Sequence, residues 1–136
     1  KYIEKEVLKT IAGFINSEGG TLLIGVKDDG TITGIDHEAK KLYSGNSNKE
    51  KLVYMDALLR HLGNRLKDSI GQEYYTYFKF HRIECNELSI VKVECNKLLN
   101  GNGCYIDNEF YIRKGASTEK LESNALVTYV QEHFNN

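Results

Sequence analysis

The sequence predicts an α+β fold in which about three helices pack on a mixed, largely antiparallel sheet. The predicted elements follow the order helix, hairpin, helix, hairpin, hairpin, helix. Strand-like segments therefore come in pairs that short turns separate, as antiparallel neighbours do. A doubly wound parallel sheet would need a crossover after almost every strand, and the chain offers too few helices for that.

The composition is that of an ordinary globular domain and names no function by itself. The chain has 136 residues, of which 40% are hydrophobic and 27% are charged, so we expect a single domain over residues 1–136. The formal net charge is -1, which excludes a strongly basic nucleic-acid binder and requires any polyanion to meet a local basic patch. The sequence starts at Lys1 and not at Met, which suggests a fragment of a longer protein that lacks its upstream segment.

Neither a membrane span nor a secretory leader is predicted. No apolar run approaches the length of a spanning helix, and the start KYIEKEV has no signal-peptide architecture. We therefore expect a cytoplasmic location and no membrane partner.

The first predicted unit is a helix followed by a hairpin. Apolar residues recur at helical spacing over Tyr2–Asn16, and the pair Gly19–Gly20 ends that helix. The apolar run Thr21–Lys27 predicts a strand. A turn at Asp28–Gly30 then leads to Thr31–Thr33, which is predicted to be the second strand of the hairpin.

The middle of the chain is predicted to contain a loop, a long helix and a second hairpin. Turn-forming residues and lysines fill Gly34–Asn48, which predicts an exposed loop. An apolar stripe at helical spacing predicts a helix over Glu50–Ile70. Aromatic and branched residues alternate with polar ones in Tyr74–Ile83 and in Leu88–Cys95, which predicts two strands joined by a short turn.

The last predicted unit is another hairpin followed by a helix. Strands are expected over Cys104–Ile106 and Phe110–Lys114, and Ser123 is expected to cap a helix over Asn124–His133. We further expect Thr21–Lys27 and Phe110–Lys114 to be neighbours in one sheet, with cationic groups on a shared side.

The end of the Phe110–Lys114 strand has the composition of a phosphate-binding segment. Arg113 and Lys114 supply charge, Ser117 and Thr118 supply hydroxyl groups, and Tyr111 could offer a stacking face to a base. Segments of this composition also simply close sheets, and the residues alone leave both interpretations open.

Other candidate sites have a structural interpretation beside the functional one. Lys40 and Lys41 could clamp a polyanion or belong to a solvated surface. Gly19 and Gly20 could form an anion nest, although the negative end of a helix dipole would repel phosphate. The acidic pair before Gly30 is typical of a tight turn.

Nucleotide and metal motifs are missing from the sequence. No glycine precedes Lys-Ser or Lys-Thr at Walker spacing, so no ATP site is predicted. The histidines and the three cysteines show no metal-ligand spacing, and the cysteines are predicted to be reduced structural thiols.

Two ordered segments resemble the AlbA-like domain of the Schlafen family. The first is a helix ending in Phe-x-Asn, a Gly-Gly pair, an apolar strand closing with Ile-Gly-Val, an acidic turn and a Gly-Ile exit. The second is the aromatic, arginine-bearing segment Phe110–Thr118. The matching positions of the first segment are Phe14, Asn16, Gly19, Gly20, Ile24, Gly25, Val26, Asp28, Gly30, Gly34 and Ile35.

The resemblance implies a Schlafen-like fold that binds DNA or RNA, often as the front module of a larger transcriptional regulator. Some animal relatives are ribonucleases that use three carboxylates and a divalent metal. Of those carboxylates only one is similar in position here, at Asp28, and the other two would lie upstream of Lys1. Under that alternative Asp28 is the catalytic and metal-binding candidate, with Mg²⁺ or Mn²⁺ as cofactor, whereas nucleic-acid binding needs none. A third alternative is a protein-interaction module that forms a homodimer through strand edges or the last helix.

Overall fold

The computed structural model of the protein describes residues 4–42, 51–99 and 101–134. Within these ranges the chain contains both helices and antiparallel strands, as an α+β fold does. The helices are α1 (Glu4–Asn16), α2 (Asp36–Lys41), α3 (Lys51–Ile70) and α4 (Ser123–His133), with a short 3-10 helix over Gln72–Tyr77. In the described part of the chain, no helix combines the length and apolar character needed to cross a membrane.

The strands form two antiparallel sheets of three strands each. The first has the order β1-β3-β2, with β1 (Gly20–Ile24), β2 (Phe78–Cys85) and β3 (Leu88–Cys95). The second has the order β4-β5-β6, with β4 (Tyr105–Ile106), β5 (Glu109–Lys114) and β6 (Ser117–Leu121). The predicted α+β class and antiparallel pairing are confirmed. The prediction that β1 and the arginine-bearing strand share one sheet is wrong.

Helix α1 lies between the two sheets and supports both. Its side chains Leu8, Ile11 and Ile15 are fully buried in the core. Its backbone also approaches β5 closely, because a Cβ atom at Gly13 would lie 3.2 Å from the carbonyl of Ile112. The helix therefore couples two sheets that share no strand.

Helix α3 supplies a stripe of buried apolar side chains to the core. Met55, Leu58, Leu62 and Leu66 are fully buried, as the predicted stripe required. Its observed range agrees with the predicted helix apart from Glu50, which lies outside the described residues.

Helix α4 packs on the C-terminal end of α1. The Tyr129 hydroxyl donates to the Asn16 carbonyl at 2.6 Å, and His133 Nε2 lies 3.0 Å from the Ser17 carbonyl oxygen. The Asn16 carbonyl ends α1 and the Ser17 carbonyl directly follows it, at the position where backbone acceptors lack partners within the helix. The prediction that Ser123 caps this helix is wrong, because Ser123 is its first residue and no side chain caps the preceding Glu122.

Two local predictions differ from the structure, and one strand was not predicted. Residues Tyr74–Tyr77 belong to a 3-10 helix and not to a strand, because Tyr74 and Tyr77 pack ring against ring and the Tyr74 hydroxyl donates to the Gly103 carbonyl. In place of a hairpin strand, Ile32 forms only an isolated bridge with Val26. The strand β6 had no prediction, because Ser117–Leu121 is polar at most of its positions.

The predicted loop Gly34–Asn48 contains the short helix α2, and its last six residues lie outside the described ranges. Six helical residues are too few to show an apolar period. Tertiary contacts hold the helix instead: Ala39 is fully buried, and the Asp36 carboxylate accepts the Ser89 backbone N–H at 2.7 Å.

Candidate nucleic-acid interface

Four of the six residues predicted to contact nucleic acid, Arg113, Lys114, Ser117 and Thr118, lie at one end of the β5–β6 hairpin. Arg113 pairs with Thr118, and Lys114 pairs with Ser117 across the turn. Because neighbouring residues of a strand point to opposite faces, Arg113 and Thr118 share the face that packs on α1, and the other two occupy the opposite face. The structure therefore brings these residues together around the hairpin tip.

The Arg113 guanidinium is held in place by its own hairpin. Its Nε donates to the Gly115 carbonyl at 3.2 Å, and its Nη1 donates to Thr118 Oγ1 at 2.8 Å. Its Cζ lies 5.2 Å from the centroid of the Phe14 ring, over one face of that ring. Among residues 4–42, 51–99 and 101–134, no carboxylate forms an ion pair with Arg113. The positive charge of Arg113 is thus fixed in position and has no carboxylate partner among the described residues.

The Phe14 ring that supports Arg113 is positioned by the glycine pair after α1. A Cβ atom at Gly20 would lie 2.5 Å from this ring, and Gly20 has φ +150°. At Gly19, with φ +75°, a Cβ would lie 2.7 Å from the Cys95 carbonyl oxygen. Both glycines are therefore explained by close packing at the end of a helix.

Lys114 and Ser117 complete the tip on the other face of the hairpin. Lys114 is exposed, and no ion pair engages its ammonium group within the described part of the chain. The Ser117 hydroxyl donates to the Lys114 carbonyl at 3.2 Å. Two adjacent cations therefore straddle the end of the sheet.

The prediction that Tyr111 offers a stacking face is wrong. Tyr111 is only 5% exposed, and the Lys9 ammonium lies 5.3 Å from its ring centroid. Its hydroxyl donates to the Glu109 carboxylate at 2.6 Å. Burial, together with that carboxylate, raises the pKa of Tyr111 to about 12. The ring is part of the α1–β5 interface.

Lys40, Lys41 and Asp28 lie away from the hairpin tip, at the other end of the first sheet. Gly20, which contacts Phe14, pairs with the last residue of β3, whereas α2 is bonded through Asp36 to Ser89 near the start of β3. The six-residue separation along that strand corresponds to about 20 Å. The acidic turn follows the far end of β1. The structure does not join these residues to Arg113 in one surface.

Asp28 lines a separate groove of about 860 Å³ between β1, α1 and α2. The groove has an acidic lining, since it contains the carboxylates of Glu6, Asp28, Asp36 and Glu38 but only one lysine, Lys27. Such a lining disfavours phosphate. Where side chains are described, no group of three or more His, Cys, Asp and Glu residues is arranged to hold a metal ion. The described residues by themselves therefore do not form the carboxylate cluster that metal-dependent hydrolysis requires.

The acidic turn itself has the geometry of a tight turn. The Asp29 carboxylate accepts the Thr31 backbone N–H at 2.9 Å, and hydrogen bonds from Thr31 lower the pKa of Asp29. The Gly30 N–H donates to the Lys27 carbonyl. A tight turn therefore accounts for the acidic pair and the glycine at Asp28–Gly30.

A family model described as Schlafen, AlbA_2 matches residues 1–122 of the chain. The chain belongs to this Schlafen family. No curated protein and no solved structure matches it. Membership of the family suggests a nucleic-acid-binding domain. The matched region contains α1, both sheets and the whole β5–β6 hairpin, and it ends directly before α4.

The two segments that the Schlafen resemblance identified meet at the hairpin tip. Phe14 comes from the first segment and Arg113 from the second. The sequence assigned Phe14 to the structural motif and gave no sign that it supports the arginine. Ser17 was missed entirely, although its hydroxyl accepts the Arg113 backbone N–H at 2.8 Å. No local pattern could have shown these contacts, because they join residues far apart in the chain.

The thiols of Cys95 and Cys104 are unsuited to nucleophilic chemistry. Cys95 and Cys104 are buried, and burial raises the pKa of each thiol to about 12. Both remain protonated at neutral pH and are weak nucleophiles. All three cysteines are free, as expected for structural thiols.

Proposed function

We propose that the chain is the nucleic-acid-binding module of a transcriptional regulator and that it holds backbone phosphate at the tip of the β5–β6 hairpin. Family membership supports binding of DNA or RNA. The observation that carries the choice of site is the Arg113 guanidinium, which is fixed by its own hairpin and has no carboxylate partner among the described residues. The role in regulation rests on the resemblance alone.

The chemistry of the tip suits a phosphodiester. A guanidinium has five N–H donors, and the hydrogen bonds to Gly115 and Thr118 use two of those of Arg113. The remaining donors can form charge-assisted bonds to phosphate oxygens. Lys114 adds a second charge for an adjacent phosphate. The Ser117 hydroxyl donates its one O–H to the Lys114 carbonyl and adds no further donor. Because Arg113 is already ordered, binding would cost little side-chain entropy.

The interaction is expected to be weak and sensitive to salt. Each neutralised phosphate of a single strand contributes about -0.7 to the slope of log K against log salt concentration. Two cations at the tip thus predict a slope of roughly -1.4. A much steeper slope would indicate a larger cationic surface than the hairpin provides.

Fluorescence anisotropy with labelled single-stranded and duplex oligonucleotides tests the proposal. Arg113→Ala should lower the affinity roughly tenfold, because it removes charge-assisted hydrogen bonds to phosphate. Arg60→Ala is the matched control, since Arg60 is an exposed arginine of α3 outside the hairpin. Circular dichroism melting of both variants separates lost binding from lost folding. If Arg113→Ala binds DNA and RNA as tightly as the parent and the Arg60→Ala control do, the hairpin is not the site.

A further inference from the structure

The Phe14 ring contacts the backbone of β1 at Gly20 and lies under the Arg113 guanidinium. Gly20 leaves room for the Phe14 ring, because any Cβ at that position would overlap it. The Arg113 guanidinium lies over the ring, with its Cζ 5.2 Å from the ring centroid. The hydrogen bonds to Gly115 and Thr118 then fix the orientation of the guanidinium plane.

The Arg113 guanidinium has an aromatic ring on one of its two sides. Among the residues whose placement is described, Phe14 is the one aromatic side chain that contacts Arg113. Tyr111, the neighbouring aromatic residue of the strand, is buried under α1 and cannot serve as a second layer. A flat, cationic group held against one ring is the kind of platform on which a nucleobase stacks.

We infer that the guanidinium of Arg113 stacks an unpaired nucleobase, so that the module prefers single-stranded nucleic acid to duplex. This inference rests on the proposed function, because it concerns the same hairpin tip. In a duplex each base face is covered by its neighbours, whereas the bases of single strands and loops can turn outward onto a side chain. Lys114, on the opposite face of the strand, is placed to take the phosphate next to that base.

The platform predicts little discrimination among bases. Every base has a flat face, and stacking tolerates any sequence unless base edges are also read. Next to the guanidinium, the Gly115 carbonyl and the hydroxyls of Ser117 and Thr118 are already engaged in hydrogen bonds within the hairpin, so they are poorly placed to read base edges. The occupant is therefore an unpaired nucleotide of either sugar type, defined by its base plane and its phosphate.

Four matched probes test the inference by anisotropy: oligo-dA, oligo-dT, the duplex formed from them, and an abasic strand of the same length. The parent protein should bind both single strands roughly tenfold more tightly than the duplex or the abasic strand. Equal affinity for normal and abasic strands would overturn base stacking and leave phosphate binding intact. Absence of binding to all four probes and to oligo-rU of the same length would overturn the proposed function as well.

Two variants separate stacking from charge. Arg113→Lys keeps the positive charge but removes the planar group, so the ratio of normal to abasic affinity should fall toward one. Lys114→Ala should weaken binding to normal and abasic strands by the same factor and leave that ratio as in the parent. If Arg113→Lys also keeps the parent ratio, the guanidinium plane is not the platform.

Discussion

Asn16 is the buried polar residue on which the joint between α1 and the second sheet depends. It is fully buried, and its Nδ2 donates to the carbonyls of Cys104 and Tyr111 at 2.9 Å each. Its Oδ1 accepts the Cys104 N–H at 2.8 Å. Asn16→Ala would leave these three backbone groups without their partner. Each buried unpaired group costs about 1–3 kcal/mol, so the expected loss of unfolding free energy is about 3–6 kcal/mol after allowing for entry of water.

Such a loss is a large share of the stability of a typical domain, which is about 5–15 kcal/mol. Urea denaturation followed by far-ultraviolet circular dichroism measures it, because the chain contains no tryptophan. Asn64→Ala, at an exposed position of α3, is the matched control and should change the stability by less than about 0.5 kcal/mol. A loss below about 1 kcal/mol for Asn16→Ala would refute the view that this amide satisfies the buried carbonyls.

Two other expectations concern surface charges. Replacing Lys40 and Lys41 together by alanine should leave oligonucleotide affinity as in the parent, because α2 lies at the far end of β3 from Arg113. A loss of affinity as large as that of Arg113→Ala in the same titration would contradict the proposal that the hairpin tip is the binding site. Hydrogen bonds from Tyr111 and Lys120 lower the pKa of Glu109 to about 2. A lowered pKa stabilises the fold above the ordinary value near 4.5, and this contribution is lost as the pH falls toward about 2. Glu109→Gln should accordingly lower the melting temperature at neutral pH, and the difference should shrink across that interval; a difference independent of pH would argue against the ionised carboxylate as its source.

Local patterns in the sequence predicted the elements whose evidence lies within a few neighbouring residues. The apolar period of α3 and the alternating residues of β3 are such patterns. The two residues Asn86 and Glu87 have the positive φ values that a tight turn between strands requires. Local evidence failed at Tyr74–Tyr77, where aromatic residues suited to a strand pack against each other in a helical turn.

The strand order and the contact between Phe14 and Arg113 could not be predicted, because they depend on residues that are far apart in the chain. The strand β1, for example, joins its sheet through the pairing of Gly20 with Cys95, which lies far along the chain. The four hairpin residues could be predicted as a group, because they are close in the chain. Phe14 could not be assigned to the same site, since only the folded chain places its ring under the guanidinium.

The docking of α4 bears on where an experimental fragment of this protein can end. The family-matched region stops at residue 122, yet Tyr129 and His133 occupy the last carbonyls of α1, and the Phe134 side chain is 2% exposed. Trimming the chain at the family boundary would uncover aromatic surface and release Ser17, which also anchors the arginine strand. The affinity measured on such a truncated domain would thus differ from that of the intact one, so an experimental fragment should extend at least to Phe134.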